Sequence, residues 1–291
     1  MRDLPPVEIG ILGGSGLYEL AGMDGAEEVR VETPFGAPSD AFLVGEIEGR
    51  RVAFLARHGR GHRLLPSEIN FRANVWAFRR LGASRLLSAS AVGSMREDVK
   101  PRQIVVPDQL VDRTRCRAST FFGEGIAAHV SFADPFCPEV RRVLVEGARR
   151  RGAVVHEGGT YLCIEGPAFS TRAESLLYRS WGVDVIGMTN LQEAKLAREA
   201  EICYATLALV TDFDCWHEEE EDVSIASVIE SLHANAELAA SALREAVRAL
   251  PAERRACGCG DALAHAILTR REAIAPEAIE RLRPIVGRYL G

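Results

Sequence analysis

The sequence predicts an α/β fold, a layered single domain with a central mixed β-sheet flanked by helices. Short apolar runs alternate with amphipathic stretches, and no repeat or low-complexity linker interrupts the 291 residues. The strand candidates are Val7 to Leu12, Arg51 to Leu55, Arg85 to Ser90, Gln103 to Pro107, Thr160 to Ile164, Val183 to Met188 and Cys203 to Asp212. Each is short, rich in Val, Ile and Leu, and bounded by Gly, Pro or polar residues.

Helices fill the intervals. Pro66-Ser67 is expected to open one, with Ile69, Ala73, Trp76 and Ala77 along one face. Thr171-Arg172-Ala173-Glu174 has the capping-box pattern, and Gly182 ends that helix. Asn190-Leu191-Gln192-Glu193 reads as a further N-terminus. The longest helix is expected from Ser224 to about Leu250, with Ile225, Val228, Ile229, Leu232, Leu243 and Val247 inward. The tail after Cys259 reads as two more helices split near Pro276. One domain over 1–291 is the better reading.

The composition narrows the function classes. A hydrophobic share of 47% with both signs of charge mixed is that of a globular protein. A net charge of -6 excludes a general nucleic-acid surface, so any anion site must be built locally. No run is long and apolar enough for a membrane span, and no signal peptide precedes the first strand, so a cytoplasmic protein is expected. The seven cysteines are odd in number and scattered, which suits reduced thiols better than a disulfide framework. Cys257-Gly-Cys259 is the exception, a redox pair or half a metal site. No second closely spaced Cys or His pair completes it, so no metal is expected.

Polar residues collect where strands end, the usual place for ligand crevices in α/β sheets. The run Leu207 to Val210 leads into Thr211-Asp212-Phe213-Asp214. Strand side chains alternate faces, so two carboxylates two residues apart would leave the strand in parallel. They could accept from a ring nitrogen and an exocyclic amine of adenine, or simply be solvated in a loop. The first strand runs into Gly13-Gly14-Ser15-Gly16, where backbone can approach an anion and Ser15 adds a hydroxyl. An unliganded tight turn fits that segment equally. Arg57-His58-Gly59-Arg60-Gly61-His62 ends another strand, placing a guanidinium fork and an imidazole that titrates near neutrality there. Ser88 to Ser94 ends a third with small residues. Glu165-Gly166-Pro167-Ala168-Phe169-Ser170 can hold Phe169 out as a stacking platform or bury it as core, with Ser170 near a helix N-terminus. Met188 and Thr189 would add an apolar wall and a hydroxyl.

Taken together, these segments resemble the methylthioadenosine phosphorylases of the trimeric purine nucleoside phosphorylase group. The resemblance rests on Ile11 to Leu17, Thr33 to Asp40, Ala56 to His62, Ile164 to Ser175 and Thr211 to Trp216, in that family's order. It covers about residues 8–250 and leaves 257–291 as a helical extension. It implies a mixed sheet and a phosphate site of Ser15, Arg57, His58, Ser90, Ala91 and Thr189, with Ser170 at its edge. It implies a purine stacked near Phe169 and Met188, Asp212 facing N7 as the catalytic acid and Asp214 facing the 6-amino group. Ile225, Val228 and Ile229 would line a 5′-methylthio pocket. His129 would be lent to that pocket by a neighbouring subunit, hence a homotrimer. Ser15 and Ser90 stand where close relatives often carry threonine, and Ala168 replaces a larger residue.

The activity so implied is phosphorolysis of 5′-methylthioadenosine to adenine and 5-methylthioribose 1-phosphate, in purine and methionine salvage, with no cofactor and no metal. Phosphorolysis of 6-oxopurine nucleosides or of other 5′-modified adenosines is the nearer alternative. A non-catalytic nucleoside-binding regulatory module is the further one.

Overall fold

The computed structural model describes residues 6–14, 17, 23–217, 225–254 and 257–291, with the backbone alone over 225–234. At its centre β1 (Ile9–Gly13) lies parallel to both β4 (Arg50–Ala56) and β5 (Arg85–Ser94). Every residue of β1 is buried, which explains why its sequence is a continuous apolar run instead of an alternating one. β2 (Asp24–Val29) and β3 (Phe42–Ile47) extend the sheet antiparallel beyond β4.

β5 is the branch point. Its first residues lie between β1 and β11 (Cys203–Asp212), both parallel to it. Its end instead meets β10 (Val185–Gly187), which runs antiparallel and carries β9 (Thr160–Ile164) and β7 (Gln109–Arg113) beyond it. β6 (Ile104–Val106) pairs with β11, and β8 (Val155–Glu157) with β6. The sheet is therefore mixed, as expected, and polar residues at the ends of β1, β4, β5, β9, β10 and β11 come together.

The helices are α1 (Phe71–Leu81), α2 (Pro138–Arg150), α3 (Arg172–Ser180), α4 (Asn190–Glu199), α5 (Ile225–Ala249), α6 (Pro276–Arg281) and α7 (Arg283–Leu290). The expected start of α1 at Pro66-Ser67 is corrected. The Asn70 side chain accepts from the Ala73 amide and caps the helix there, while 66–68 form a turn. At α3 the capping box is complete and Gly182 adopts φ 74° past the last turn. α2 packs against α5 closely enough that a Cβ on Gly147 would stand 2.7 Å from the Ala242 carbonyl oxygen. Leu243 and Val247 are fully buried, as their spacing requires.

The tail departs from expectation before Pro276. Instead of a helix it makes short 3-10 turns at Gly258–Asp261 and Arg271–Ala273. It docks on α1, where the Trp76 indole donates to the Arg281 carbonyl at 3.2 Å and Arg79 Nε to that of Pro284 at 3.0 Å. Among the described residues no helix is long and apolar enough to cross a membrane.

Candidate active site

The end of β4 places Arg57 beneath the end of β1. A Cβ on Gly14 would stand 2.7 Å from Arg57 Nη1 and from the Ala89 carbonyl oxygen, so only glycine allows this approach. The guanidinium is 1% exposed, and its fork is already engaged. Nε and Nη2 both donate to Glu193 on α4, Nη2 also to Ser88 Oγ at 2.6 Å and Nη1 to the Ala89 carbonyl at 3.0 Å. Two of its nitrogens thus face Glu193, and Nη1, which gives one N–H to Ala89, is the arm left toward Gly14. A buried cation needs a counter-charge in place, and Glu193 supplies it.

Glu193 is held in turn. The Tyr204 hydroxyl donates to its Oε2 at 2.7 Å, and Ser88 Oγ does so at 3.1 Å. Asn190, at the start of α4, donates to Tyr204 and accepts from Ser90 Oγ at 2.6 Å. Asn190 and Glu193 figure in the sequence only as a helix start, and Tyr204 only within a strand. An acid in the first turn of a helix normally answers the helix dipole at the surface, and nothing local marks this one as buried.

His58 behaves differently from a free imidazole. Burial, aided by the Arg57 charge, pushes its pKa down to about 3, so it does not titrate near neutrality as expected. Its Nδ1 lies 2.8 Å from the Leu64 carbonyl, an acceptor only, which requires the proton on Nδ1. Nε2 is then an acceptor, suited to a P–OH group. The ring stacks on His62 with centroids 4.3 Å apart.

The two carboxylates meet, but not by strand alternation. β11 ends at Asp212, with Thr211 bulged out between the pairs Val210–Val92 and Asp212–Gly93. Asp214 lies beyond it in a 3-10 turn with φ 54°, a left-handed conformation. Its amide donates to Asp212 Oδ1 at 2.8 Å, while Thr211 Oγ1 donates to Asp212 Oδ2 at 2.6 Å. Ser175 on α3 donates to Asp214 Oδ2. Gly93 makes the room: a Cβ there would stand 2.9 Å from Asp212 Oδ1 and 3.3 Å from Asp214 Cβ. Burial raises the pKa of both groups, and for Asp214 the neighbouring Asp212 charge adds to the rise against the Ser175 bond.

The loop after β9 lies alongside, the Cys215 thiol donating to its Ser170 carbonyl at 3.2 Å. Gly166 takes φ 65°, and a side chain there would collide with Met188 Sδ at 2.5 Å. Phe169 is 45% exposed, a platform and not core, and Ser170 Oγ is buried without a hydrogen-bond partner among the described residues. Arg117, unforeseen from the sequence, pins this region by donating to the carbonyls of Glu165 and Met188 and to Glu165 Oε1. The Tyr161 hydroxyl, also unforeseen, is buried with no hydrogen-bond partner among the described residues and fills the space a Cβ on Gly187 would need.

Thr189 is buried at the start of α4, and Ala91 is half-buried opposite Leu209. Ser15 lies outside the described residues. Ile225, Val228 and Ile229 fall on the first turns of α5, with side chains outside the described set. His129 is exposed on a segment bonded to the tail, its amide donating to the Ala266 carbonyl at 2.9 Å. The structure also overturns the premise about the cysteines, since it gathers Cys137 and Cys203 against Cys257 and Cys259.

A mixed sheet branching at one long strand, with polar residues gathered at the strand ends, defines the nucleoside phosphorylase fold. The chain belongs to the phosphorylase superfamily, whose family model matches residues 8–250. It is 57% identical to the S-methyl-5′-thioadenosine phosphorylase of Koribacter versatilis, over 98% of this chain and 97% of that one. The corresponding protein of Geobacter sulfurreducens is 56% identical, over 97% of this chain and 99% of that one. Among solved structures, a methylthioadenosine phosphorylase from an antarctic soil metagenomic library superposes with a TM-score of 0.91, at 49% identity, covering 96% of this chain and 99% of that one. The methylthioadenosine phosphorylase of Schistosoma mansoni in complex with adenine gives 0.81 at 39% identity, over 85% of this chain and 93% of that one.

Proposed function

We propose that this protein is a pentosyltransferase that splits 5′-methylthioadenosine with phosphate, giving adenine and 5-methylthioribose 1-phosphate, in purine and methionine salvage. The observation that carries the reading is the carboxylate pair beside Gly93, half-buried Asp212 and buried Asp214. Adenine stacks near Phe169 and Met188. Phosphate attacks C1′ as the C1′–N9 bond breaks, and Asp212 donates a proton or hydrogen bond to N7 so that adenine does not leave as an anion. Such acid catalysis is typically worth about 10²–10⁴-fold. The raised pKa of Asp212 suits that role. Asp214 Oδ2 is occupied by Ser175, leaving Oδ1 to accept from the 6-amino group.

Phosphate is held at the ends of β1, β4 and β5, by Ser15, Ser90, Ala91 and Thr189, with Ser170 at the edge. Arg57 contributes through Nη1, the arm under Gly14, while Glu193 holds the rest of the guanidinium. His58 meets the phosphate through Nε2. Ile225, Val228 and Ile229 receive the 5′-methylthio group. His129 of one subunit completes the pocket of another in a homotrimer working in the cytoplasm. Burial of the methylthio group contributes roughly 1–2 kcal/mol at about 25 cal/mol per Å².

The test is release of free adenine from 5′-methylthioadenosine, with and without phosphate, against adenosine, inosine and methylthioinosine. Phosphate-dependent release with 5′-methylthioadenosine as the best substrate is expected. Binding without release would make the protein a sensor, and a preference for inosine would give it to 6-oxopurines.

A further inference from the structure

Four thiols from three distant parts of the chain meet at one point. Cys137 caps the N-terminus of α2, Cys203 opens β11, and Cys257 and Cys259 begin the tail. Their sulfur atoms all lie within 4.8 Å of one another, with Cys137 to Cys257 at 4.0 Å and Cys203 to Cys257 at 3.4 Å. None is in a disulfide. A tetrahedral ion with bonds of about 2.3 Å to each thiolate sets the sulfurs roughly 3.8 Å apart, which is the spacing seen.

The surroundings suit a charged centre. Cys137, Cys203 and Cys259 are buried. The Arg254 guanidinium lies against the tail beside Cys259, where a Cβ on Gly260 would stand 2.9 Å from its Cζ. Its Nη1 is anchored to the Glu201 carbonyl at 3.0 Å, and its Nη2 is buried with no hydrogen-bond partner among the described residues. Four thiolates around a divalent ion carry a net double negative charge, and this guanidinium with the α2 N-terminus opposes it.

We propose that Cys137, Cys203, Cys257 and Cys259 hold one structural zinc ion. Soft thiolates in a closed tetrahedron select zinc over harder cations, and four protein ligands leave no open position for catalysis. The ion ties the tail to β11 and α2. Beyond the site the tail runs along 127–129, where Ala128 bridges to Ile267 and the Ala127 carbonyl accepts from Leu268.

Metal analysis of the whole protein, purified under reducing conditions and passed over a chelating resin, tests this. One zinc per chain is expected. Protein produced in cobalt medium should show thiolate-to-cobalt charge transfer and the intense visible bands of tetrahedral cobalt. The double variant Cys257→Ser/Cys259→Ser should lose the ion and melt at a lower temperature. Cys116→Ala, at an exposed thiol outside the cluster, should keep both properties. If the double variant does not fold, the zinc content and cobalt spectrum of the unaltered chain still decide. Metal-free protein with reactive thiols, disulfides among these four in non-reducing peptide mass spectra, or iron in place of zinc would each overturn the proposal.

Discussion

The amide of Asp214 donates to Asp212 Oδ1 at 2.8 Å, so the second carboxylate of the pair positions the first through its backbone while its side chain points elsewhere. Geometry thus separates two roles, which substitution can pull apart. Asp214→Asn keeps the amide bond and adds a donor that can face O6. Selectivity should shift from methylthioadenosine toward methylthioinosine, reflecting the ~1–3 kcal/mol of an unpaired acceptor contact. Asp212→Asn should depress turnover of both purines and leave the preference between them nearly intact. Catalytic efficiencies on the two nucleosides distinguish these outcomes, and an unchanged preference in Asp214→Asn would remove that residue from base reading.

Gly93→Ala should disturb the pair without touching the substrate. The new methyl group would stand 2.9 Å from Asp212 Oδ1, so the carboxylate must swing away. A misplacement of about 1 Å can cost about 10²-fold in rate. The turnover number should fall while the thermal unfolding transition stays cooperative, which steady-state kinetics beside calorimetry would show.

Arg57 and Glu193 are each other's counter-charge, both side chains 1% exposed. Arg57→Ala leaves a carboxylate buried and unpaired, which typically costs about 3–5 kcal/mol. Urea titration should register that loss, and the KM for phosphate should rise far more than that for nucleoside. Equal changes in the two KM values would separate Arg57 from the phosphate.

Burial raises Glu199 to about 7, above its ordinary value of 4.5, while the Phe121 amide and Thr120 hydroxyl bond to it. Its folded-state pKa is raised, so its contribution to stability is full below the unfolded value and is lost as pH rises through the folded one. His58, lowered from 6.5 to about 3, acts in the other direction, favouring the fold above the unfolded value and losing that contribution as pH falls. The two overlap, so the useful measurement is the difference in melting temperature between Glu199→Gln and the unaltered chain. The variant should gain relative stability as pH rises from about 4.5 to 7 and hold a constant difference above that.

The sequence was most legible where local pattern and tertiary role agree. Fully buried β1 and β11 show as apolar runs, and the chain turns polar where each emerges at the site. Thr171 and Glu174 announce α3 because a capping box is made within four residues. β2 was missed because Asp-Gly-Ala-Glu-Glu-Val is exposed and acidic, its strand character coming only from pairing with β3. α2 did carry a signal, Pro138 at its first turn with Val140, Val143 and Leu144 at helical spacing, that went unread. Glu193 and Arg117 were hidden for a different reason. Their partners lie 136 and 48 residues away for the contacts to Arg57 and Glu165, and a buried ion pair has no local pattern. The same distance concealed the meeting of Cys137 and Cys203 with the tail.

The bulge at Thr211 has a consequence for how this strand can change. Side chains along a strand reverse face with every residue, so an added or removed residue acts as a parity switch. Thr211 stands outside that count: it is the surplus residue between Val210–Val92 and Asp212–Gly93, so its deletion would restore regular pairing with Asp212 still opposite Gly93, and would remove the hydroxyl that bonds Asp212 Oδ2. The apolar core below would keep its register, and the acid would keep its side of the sheet with one donor fewer. The bulge is thus a spare place in the strand, which lends the acid a hydroxyl without changing the side on which it stands.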